Sequence, residues 1–506
     1  MTRYNPLMLV GTGSDVGKSI LCTALCRIFL QDGCRPAPFK AQNMALNSFV
    51  TPDGCEIGRA QAVQAEACGL PPHSDMNPVL LKPNSEHTTQ VVLNGHPVGS
   101  RSAYEYFRGE GRDVLWQEVC AAFDRLQAKG YNPIVMEGAG SVSELNLRDR
   151  DIVNMPMARY ANANVILVAD IDRGGVFASC YGSVMLQTPE DRQRIKGIII
   201  NKFRGDRRLF DDGCRLLEQT CGIPVLGVVP YLEGLAIDAE DSVALGKKQR
   251  KPTEGKVNVA VVLLRHISNF TDFDALERDR RVNLYYTDRA EDLEGADVIV
   301  LPGTKSTLDD LYHLRLSGLA KAIVDAHERG ATVVGICGGF QMLGRKVCDA
   351  EGIEGSIAEL PGLGLLDILT VLSPQKITRQ VEFEWKGAVC RGYEIHQGRS
   401  FHVLKPDTSS SMSDAESSSK MKPLQTMVTE RDRVVGTYVH GFFDNASVCD
   451  WLLERWAKEN LQPSSESSSP NVNTSDDFKE QQYNLLAEQV RRYVDIPKLY
   501  KIMAHD

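Results

Sequence analysis

Gly11-Thr12-Gly13-Ser14-Asp15-Val16-Gly17-Lys18-Ser19 is the stretch whose reading decides the fold. An apolar run, Leu7 to Val10, precedes it. Ile20, Leu21, Ala24, Leu25, Ile28 and Phe29 come after it at helical spacing, and Gly33 marks the end. Strand, glycine loop and helix form the context that a phosphate-binding loop requires. Backbone N–H groups close on the phosphate oxygens, and the helix N-terminus adds partial positive charge. Lys18 answers the outer phosphates and the Ser19 hydroxyl answers Mg²⁺, so Thr12, Gly13, Gly17, Lys18 and Ser19 are the candidate ATP-binding set. Five residues rather than the usual four separate Gly11 from Gly17, which puts Thr12 where the first glycine normally stands. A G-x-G after a strand also suggests a dinucleotide fold, but Val16 occupies the place of its third glycine. Gly17-Lys18-Ser19 at a helix start decides for a nucleoside triphosphate.

A chain of 506 residues exceeds one core, so two or three domains are expected. With 42% hydrophobic and 24% charged residues it reads as a soluble globular protein. No apolar run approaches the ~20 residues that cross a bilayer. The opening Met-Thr-Arg-Tyr-Asn-Pro is no secretion signal, and a cytoplasmic location is the resulting expectation. Thirteen cysteines, scattered without metal-ligand spacing, read as buried free thiols in a reducing compartment. A net charge of −9 argues against nucleic acid as a partner. An anionic substrate therefore needs a local basic pocket. Nothing in the sequence sets the oligomeric state.

A second strand ends at Phe39, and Lys40, Gln42, Asn43 and Asn47 crowd its C-terminal end. Ligands of open α/β sheets sit beyond the carboxyl ends of strands, and amide side chains there suit a substrate rich in carboxylates and amides. The phosphate loop, Phe-Lys-Ala-Gln-Asn-Met-Ala-Leu-Asn-Ser (39 to 48) and Glu-Ile-Gly-Arg-Ala-Gln-Ala-Val-Gln-Ala (56 to 65) together closely resemble the cobyric acid synthase family. These are glutamine-dependent amidases of the cobalamin pathway, with an N-terminal domain similar to dethiobiotin synthetase. The odd loop spacing is shared by that group, and the resemblance runs from about residue 5 to 460. It implies ATP, glutamine and adenosylcobyrinic acid a,c-diamide as partners, with amidation at carboxylates b, d, e and g. Lys40, Gln42, Asn43 and Arg59 are the candidate substrate-binding residues.

Asn132 to Gly140 reads as an apolar strand ending in a carboxylate and a glycine turn, which makes Glu137 the candidate second Mg²⁺ contact beside Ser19. Asn201-Lys202 ends another strand and resembles the adenine-recognising loop of dethiobiotin synthetase-like proteins; an asparagine there is also a common turn former.

In the second half, Thr332-Val-Val-Gly-Ile336-Cys337-Gly338-Gly339-Phe-Gln341 reads as strand, sharp turn and helix. Cys337 at such a turn faces a helix N-terminus, which favours the thiolate, and flanking glycines relieve crowding. Backbone N–H groups at Gly338 and at Gly303 or Thr304 are oxyanion-hole candidates. The segment resembles the cobalamin-pathway branch of class I glutamine amidotransferases. A thiol nucleophile needs a base, and His440, just past the strand Val434 to Val439, supplies one. The common class I pattern puts Glu two residues after that His, where this chain has Phe442. Asp444 or Glu394 remains to orient His440, or nothing charged does. Gly392 to His396 also matches a family motif, whose role is left open between binding glutamine, supporting the turn and packing.

The expected fold is α/β: two doubly wound, mainly parallel sheets, a P-loop dethiobiotin synthetase-like domain (1–240) and a class I glutamine amidotransferase-like domain (257–460). A polar linker (241–256), a serine-rich insert (407–419), a low-complexity segment (461–480) and a C-terminal helical segment (481–506) complete the chain. Three other activities compete: cobyrinic acid a,c-diamide synthase, a ligase for another carboxylate, and a non-enzymatic ATP switch like the partitioning ATPases. The Phe39 to Ser48 motif argues against the first, and the Cys337/His440 pair against the last.

Overall fold

The computed structural model describes residues 3–83, 88–102, 112–238, 251–403, 421–460 and 475–504. Most of the expected linker, the serine-rich insert and residues 461–474 lie outside these.

Six strands form a wholly parallel sheet in the order Val225–Pro230, Ile195–Phe203, Asn164–Asp170, Leu7–Gly11, Ile134–Glu137, Ala37–Phe39. Leu7–Gly11 is central and buried along its whole length, which is why it reads as a continuous apolar run. Register places Glu137 level with Leu9, and Phe39 level with Met136. The phosphate loop, Glu137 and Lys40 therefore leave neighbouring strands at the same edge. Helix Lys18–Gln31 starts from Gly17, whose φ of 96° favours glycine.

A second six-stranded sheet runs Val282–Thr287, Val257–Val262, Val298–Leu301, Thr332–Ile336, Val434–Thr437, Val428–Arg431. Five strands are parallel and Val428–Arg431 is antiparallel. The α/β class read from the alternating pattern is the fold found.

Two further β elements, one of them a mixed sheet, escaped the periodicity reading. Gln42–Met44, Val79–Pro83, Thr88–Leu93 and His96–Ser102 make a four-stranded sheet beside the first domain's ligand edge. A long hairpin, Ile368–Trp385 with Ala388–Val403, crosses to meet it. Phe49 and Tyr393 pack with ring centroids 5.3 Å apart, and the Tyr393 hydroxyl donates to the Ser48 carbonyl at 3.3 Å. Glu56, fully buried, pairs with Lys82 at 2.8 Å and with Lys376 of the hairpin. The hairpin is polar along much of its length because many of its side chains, Gln375, Arg379 and Glu382 among them, face solvent.

The C-terminal segment is helical, as its apolar spacing predicts, and longer than expected. A helix begins at Ser475, earlier than the expected 481, with Asp477 suited to the positive end of its dipole, and runs to Tyr493; a second covers Ile496–Met503. Both return to the first domain. Tyr483, Leu486, Ala487 and Val490 share a core with Leu21, Leu25 and Phe29 of the helix after the phosphate loop, and the Arg27 guanidinium donates to Asn484 at 2.8 Å. All thirteen cysteines are unpaired.

Leu486→Ala is expected to cost about 2–5 kcal/mol of stability through the cavity it leaves, read as a lowered urea midpoint at unchanged slope.

Candidate functional site

In the phosphate loop, Lys18 is buried and its Nζ donates to the carbonyls of Gly13 and Gly140, each at 3.0 Å. Such a hold bends the lysine over the loop, where phosphate oxygens can replace the carbonyls. The Ser19 hydroxyl donates to Glu137 Oε1 at 2.8 Å, bringing together the two candidate magnesium residues. A hydroxyl and a carboxylate oxygen are the hard donors Mg²⁺ takes, so this pair fits the ion. The Lys40 ammonium touches the same carboxylate oxygen at 2.8 Å, where a cation's charge is balanced.

Two residues of the expected ATP set differ in role. The Thr12 N–H is committed to the Val168 carbonyl at 3.0 Å, so it belongs to the scaffold rather than to phosphate. Asn201 spends its amide nitrogen on the Val16 carbonyl at 2.8 Å and does not line the cavity. A Cβ on Gly17 would sit 2.1 Å from that amide, so Asn201 also shapes the loop.

Beside the loop opens a cavity of about 1050 Å³, at the large end of ligand sites. Lys40, Gln42 and Asn43 line it, and Arg112, Arg148 and Arg150 stand there beside Asp113, Asp149 and Asp151, so the wall offers cations for an anionic substrate within a lining of both signs. Arg59 does not join them. Its guanidinium pairs with Asp238 and lies 5.1 Å from the Phe49 ring centroid, so its charge is already spent at the domain interface. The arginines were missed because they lie in irregular backbone and at the start of a helix, without a motif.

Cys337 sits between Thr332–Ile336 and helix Gly338–Leu343 with φ 52° and ψ −110°, a left-handed backbone in a non-glycine residue. This is the strained turn the glycine pattern predicts. A Cβ on Gly339 would lie 2.0 Å from the Leu301 carbonyl oxygen, and one on Gly338 would lie 2.5 Å from Thr304 Cγ2 and 3.2 Å from the Thr304 nitrogen. The glycines thus let Gly338 and the Gly303-Thr304 loop approach one another beside the thiol, bringing the oxyanion candidates together. The Thr304 hydroxyl donates to the buried Asp310 carboxylate at 2.5 Å, and the His266 ring bonds the other oxygen at 3.0 Å, which fixes that loop.

His440 is within hydrogen-bonding reach of the Cys337 thiol, and its Nδ1 is 2.7 Å from Asp272 Oδ2. Neither carboxylate offered by the sequence holds the histidine. Glu394 pairs with Arg379, and Asp444 lines a separate small cavity with Arg59 and Asp238. Asp272 comes instead from the loop after Val257–Val262, 168 residues before the histidine, a separation no local motif reveals. Burial pushes the His440 imidazole down, but Asp272 and the neighbouring thiol more than offset it and raise it to about 10. The ring is therefore held as an imidazolium able to stabilise a thiolate.

Gly392 to His396 forms a wall of this site. Tyr393 stacks on His440 at 5.4 Å, and the Ile395 carbonyl lies 3.6 Å from the thiol. His396 lies 3.7 Å from the Tyr438 ring, its Nδ1 facing the Gly398 carbonyl at 2.8 Å, and burial lowers it to about 3, so it is neutral. The cavity over Cys337 measures about 30 Å³, room for a water or two but not for an amino acid. Instead of an exposed thiol, the strand-to-helix turn presents one that the hairpin and the first domain cover.

A phosphate loop at a large cavity and a Cys–His–Asp set at a strand-to-helix turn define the class: a P-loop nucleotide-binding protein fused to a glutamine amidotransferase-type domain. Family models agree. Residues 7–243 match the CobQ/CobB/MinD/ParA nucleotide binding domain, and 258–448 match the CobB/CobQ-like glutamine amidotransferase domain. Cobyric acid synthase of Phocaeicola vulgatus is 59% identical over 508 residues, covering 99% of both chains. Those of Parabacteroides distasonis and Syntrophobacter fumaroxidans are 51% identical (98% of both chains) and 46% identical (99% of both). The chain belongs to the cobyric acid synthase family.

Asp272→Asn is expected to lower glutamine hydrolysis by roughly 10²–10⁴-fold, measured as glutamate release, while Glu394→Gln and Asp444→Asn fall far less. The raised His440 pKa also sets a sign. The Asp272–His440 contribution to stability is full below about 6.5 and is lost as pH rises through about 10, so wild type and Asp272→Asn should converge in unfolding free energy toward alkaline pH.

Proposed function

We propose that this chain amidates carboxylates b, d, e and g of adenosylcobyrinic acid a,c-diamide to give adenosylcobyric acid, using one ATP and one glutamine per amide. The carrying observation is that one chain, alike end to end to cobyric acid synthases, holds both a Cys337–His440–Asp272 set and a phosphate-loop cavity. The lysines and arginines in that wall suit the carboxylates of such a substrate, and Gln42 and Asn43 suit intermediates that lose a negative charge at each step.

Cys337 attacks the side-chain amide carbon of glutamine, and the N–H groups of Gly338 and the Gly303-Thr304 loop receive the oxyanion. The His440 imidazolium donates its proton to the departing nitrogen, with Asp272 keeping the ring aligned, and water then cleaves the thioester to glutamate. In the other domain a substrate carboxylate takes the γ-phosphoryl group of ATP, because ammonia does not displace hydroxide from a carboxylate. Lys18 binds and orients the phosphates, and ammonia displaces phosphate to leave the amide. Ser19 and Glu137 would hold Mg²⁺, which neutralises phosphate charge when bound. Ammonia protonates in water at pH 7, so a protected passage between the sites belongs to this proposal. Unpaired cysteines and the use of ATP and glutamine support a cytoplasmic location.

Purified protein with ATP, Mg²⁺, glutamine and the diamide should yield products lighter by about one mass unit per amide, as NH₂ replaces OH, ending after the fourth. Cys337→Ala should abolish the glutamine-driven reaction and keep the ammonium-driven one, whereas Lys18→Ala should abolish both, a loss of about 10³-fold or more when phosphate binding and orientation are removed. An unchanged diamide under wild-type conditions overturns the assignment.

A further inference from the structure

A buried lysine and a half-buried glutamate face the Cys337 cavity, and the hydrolysis chemistry uses neither. Lys305 comes directly after the Gly303-Thr304 loop, and Glu354 stands at the start of helix Thr307–Leu316. Lys305 is 8% exposed, and its ammonium finds the Gln397 side-chain oxygen at 3.4 Å. Glu354 accepts from the Thr307 N–H at 2.5 Å and from the Thr307 hydroxyl at 3.5 Å. Among the described residues no ion pair within 4.0 Å involves either of them, with each other or with a third group. The neighbouring lysines differ, because Lys82 and Lys376 both pair with Glu56.

A buried ammonium is costly in a folded protein, and with a half-buried carboxylate on the same cavity, neither having a counter-charge in contact, it suits a ligand that brings both signs. The α-carbon of a free amino acid carries that combination. We propose that Lys305 receives the α-carboxylate and Glu354 the α-ammonium of glutamine, so that this pair selects the free amino acid and holds its side-chain amide over Cys337. The inference rests on the glutaminase reading and adds how its substrate is recognised. Burial holds Glu354 up, to about 7, and holds Lys305 below its ordinary value, as expected of charges waiting for partners. The thiol cavity, at about 30 Å³, is smaller than glutamine, so admission parts the wall that Lys82 and Lys376 share with it.

The full chain, as wild type, Lys305→Met and Glu354→Gln, is assayed for release of ammonia from three amides. These are L-glutamine, 4-aminobutanamide, which lacks the α-carboxylate, and glutaramate, which lacks the α-ammonium. Wild type should prefer glutamine to both. Lys305→Met should lose roughly 10–100-fold in kcat/KM for glutamine, the worth of a charged hydrogen bond, and little for 4-aminobutanamide, so that this preference collapses. Glu354→Gln should erase the preference over glutaramate instead. A fall shared equally by all three amides, or preferences left intact, overturns the proposal while the glutaminase stands. No glutamine hydrolysis by wild type defeats the underlying reading itself. Circular dichroism and a cooperative thermal transition report whether each variant is folded. Should either be unfolded, Lys305→Arg and Glu354→Asp, which keep the charge but move it, are expected to erode the same preferences in the same order, and unchanged preferences there overturn the proposal.

Discussion

Asp272 carries more of this molecule than any other side chain. One carboxylate oxygen holds the His440 ring, and the other accepts from the Gly441 N–H at 2.9 Å, so the base and the backbone after it are fixed together. The loop that presents it is tied to the other domain. Asn269 Oδ1 accepts from the Ser48 N–H at 3.0 Å, and the Phe270 N–H donates to Asn47 at 3.3 Å. Residues 47 and 48 end the segment whose start, Lys40 to Asn43, lines the large cavity. The alignment of a thiol–imidazole pair in one half is thus mechanically continuous with the wall of the ligand site in the other.

That continuity explains why polar groups are buried where the two halves meet. Glu56 between Lys82 and Lys376 contributes little net stability compared with an apolar contact of equal size, since desolvation offsets attraction. It does set register: a shift of the hairpin by one residue would leave buried charge unpaired. Tyr393 serves both sides, bonding Ser48 and stacking on His440. Two chemistries that must share a reactive nitrogen are held in one alignment by contacts that tolerate little sliding.

Motifs with local spacing were legible wherever function depends on backbone shape. The phosphate loop, the Glu137 strand end and the Cys337 turn are each strand-to-loop geometries dictated by a few consecutive residues, and glycine positions announce them. Asp272, the cavity arginines and the misjudged Arg59 were not legible for a common reason. A side chain's partner depends on which loop ends the sheet order brings alongside it. Val257–Val262 and Val434–Thr437 are separated by two strands within their sheet, yet the loops beyond their carboxyl ends curl together over Cys337. The long hairpin hid for a related cause: Gln375, Arg379, Gln380 and Glu382 of its first strand are exposed to solvent along a stretch with few apolar residues, so alternation gave no sign of it.

The amino-acid sequence alone determined the two parallel-sheet domains, the nucleotide loop, the thiol and its imidazole, because each is written in contiguous residues whose φ/ψ demands and apolar periods are local. Tertiary structure alone decided which carboxylate orients His440, which charges line the large cavity, and that the final helices pack on the first domain. Those outcomes depend on distances between segments hundreds of residues apart, and such distances are set by packing and burial rather than by any residue's own preference.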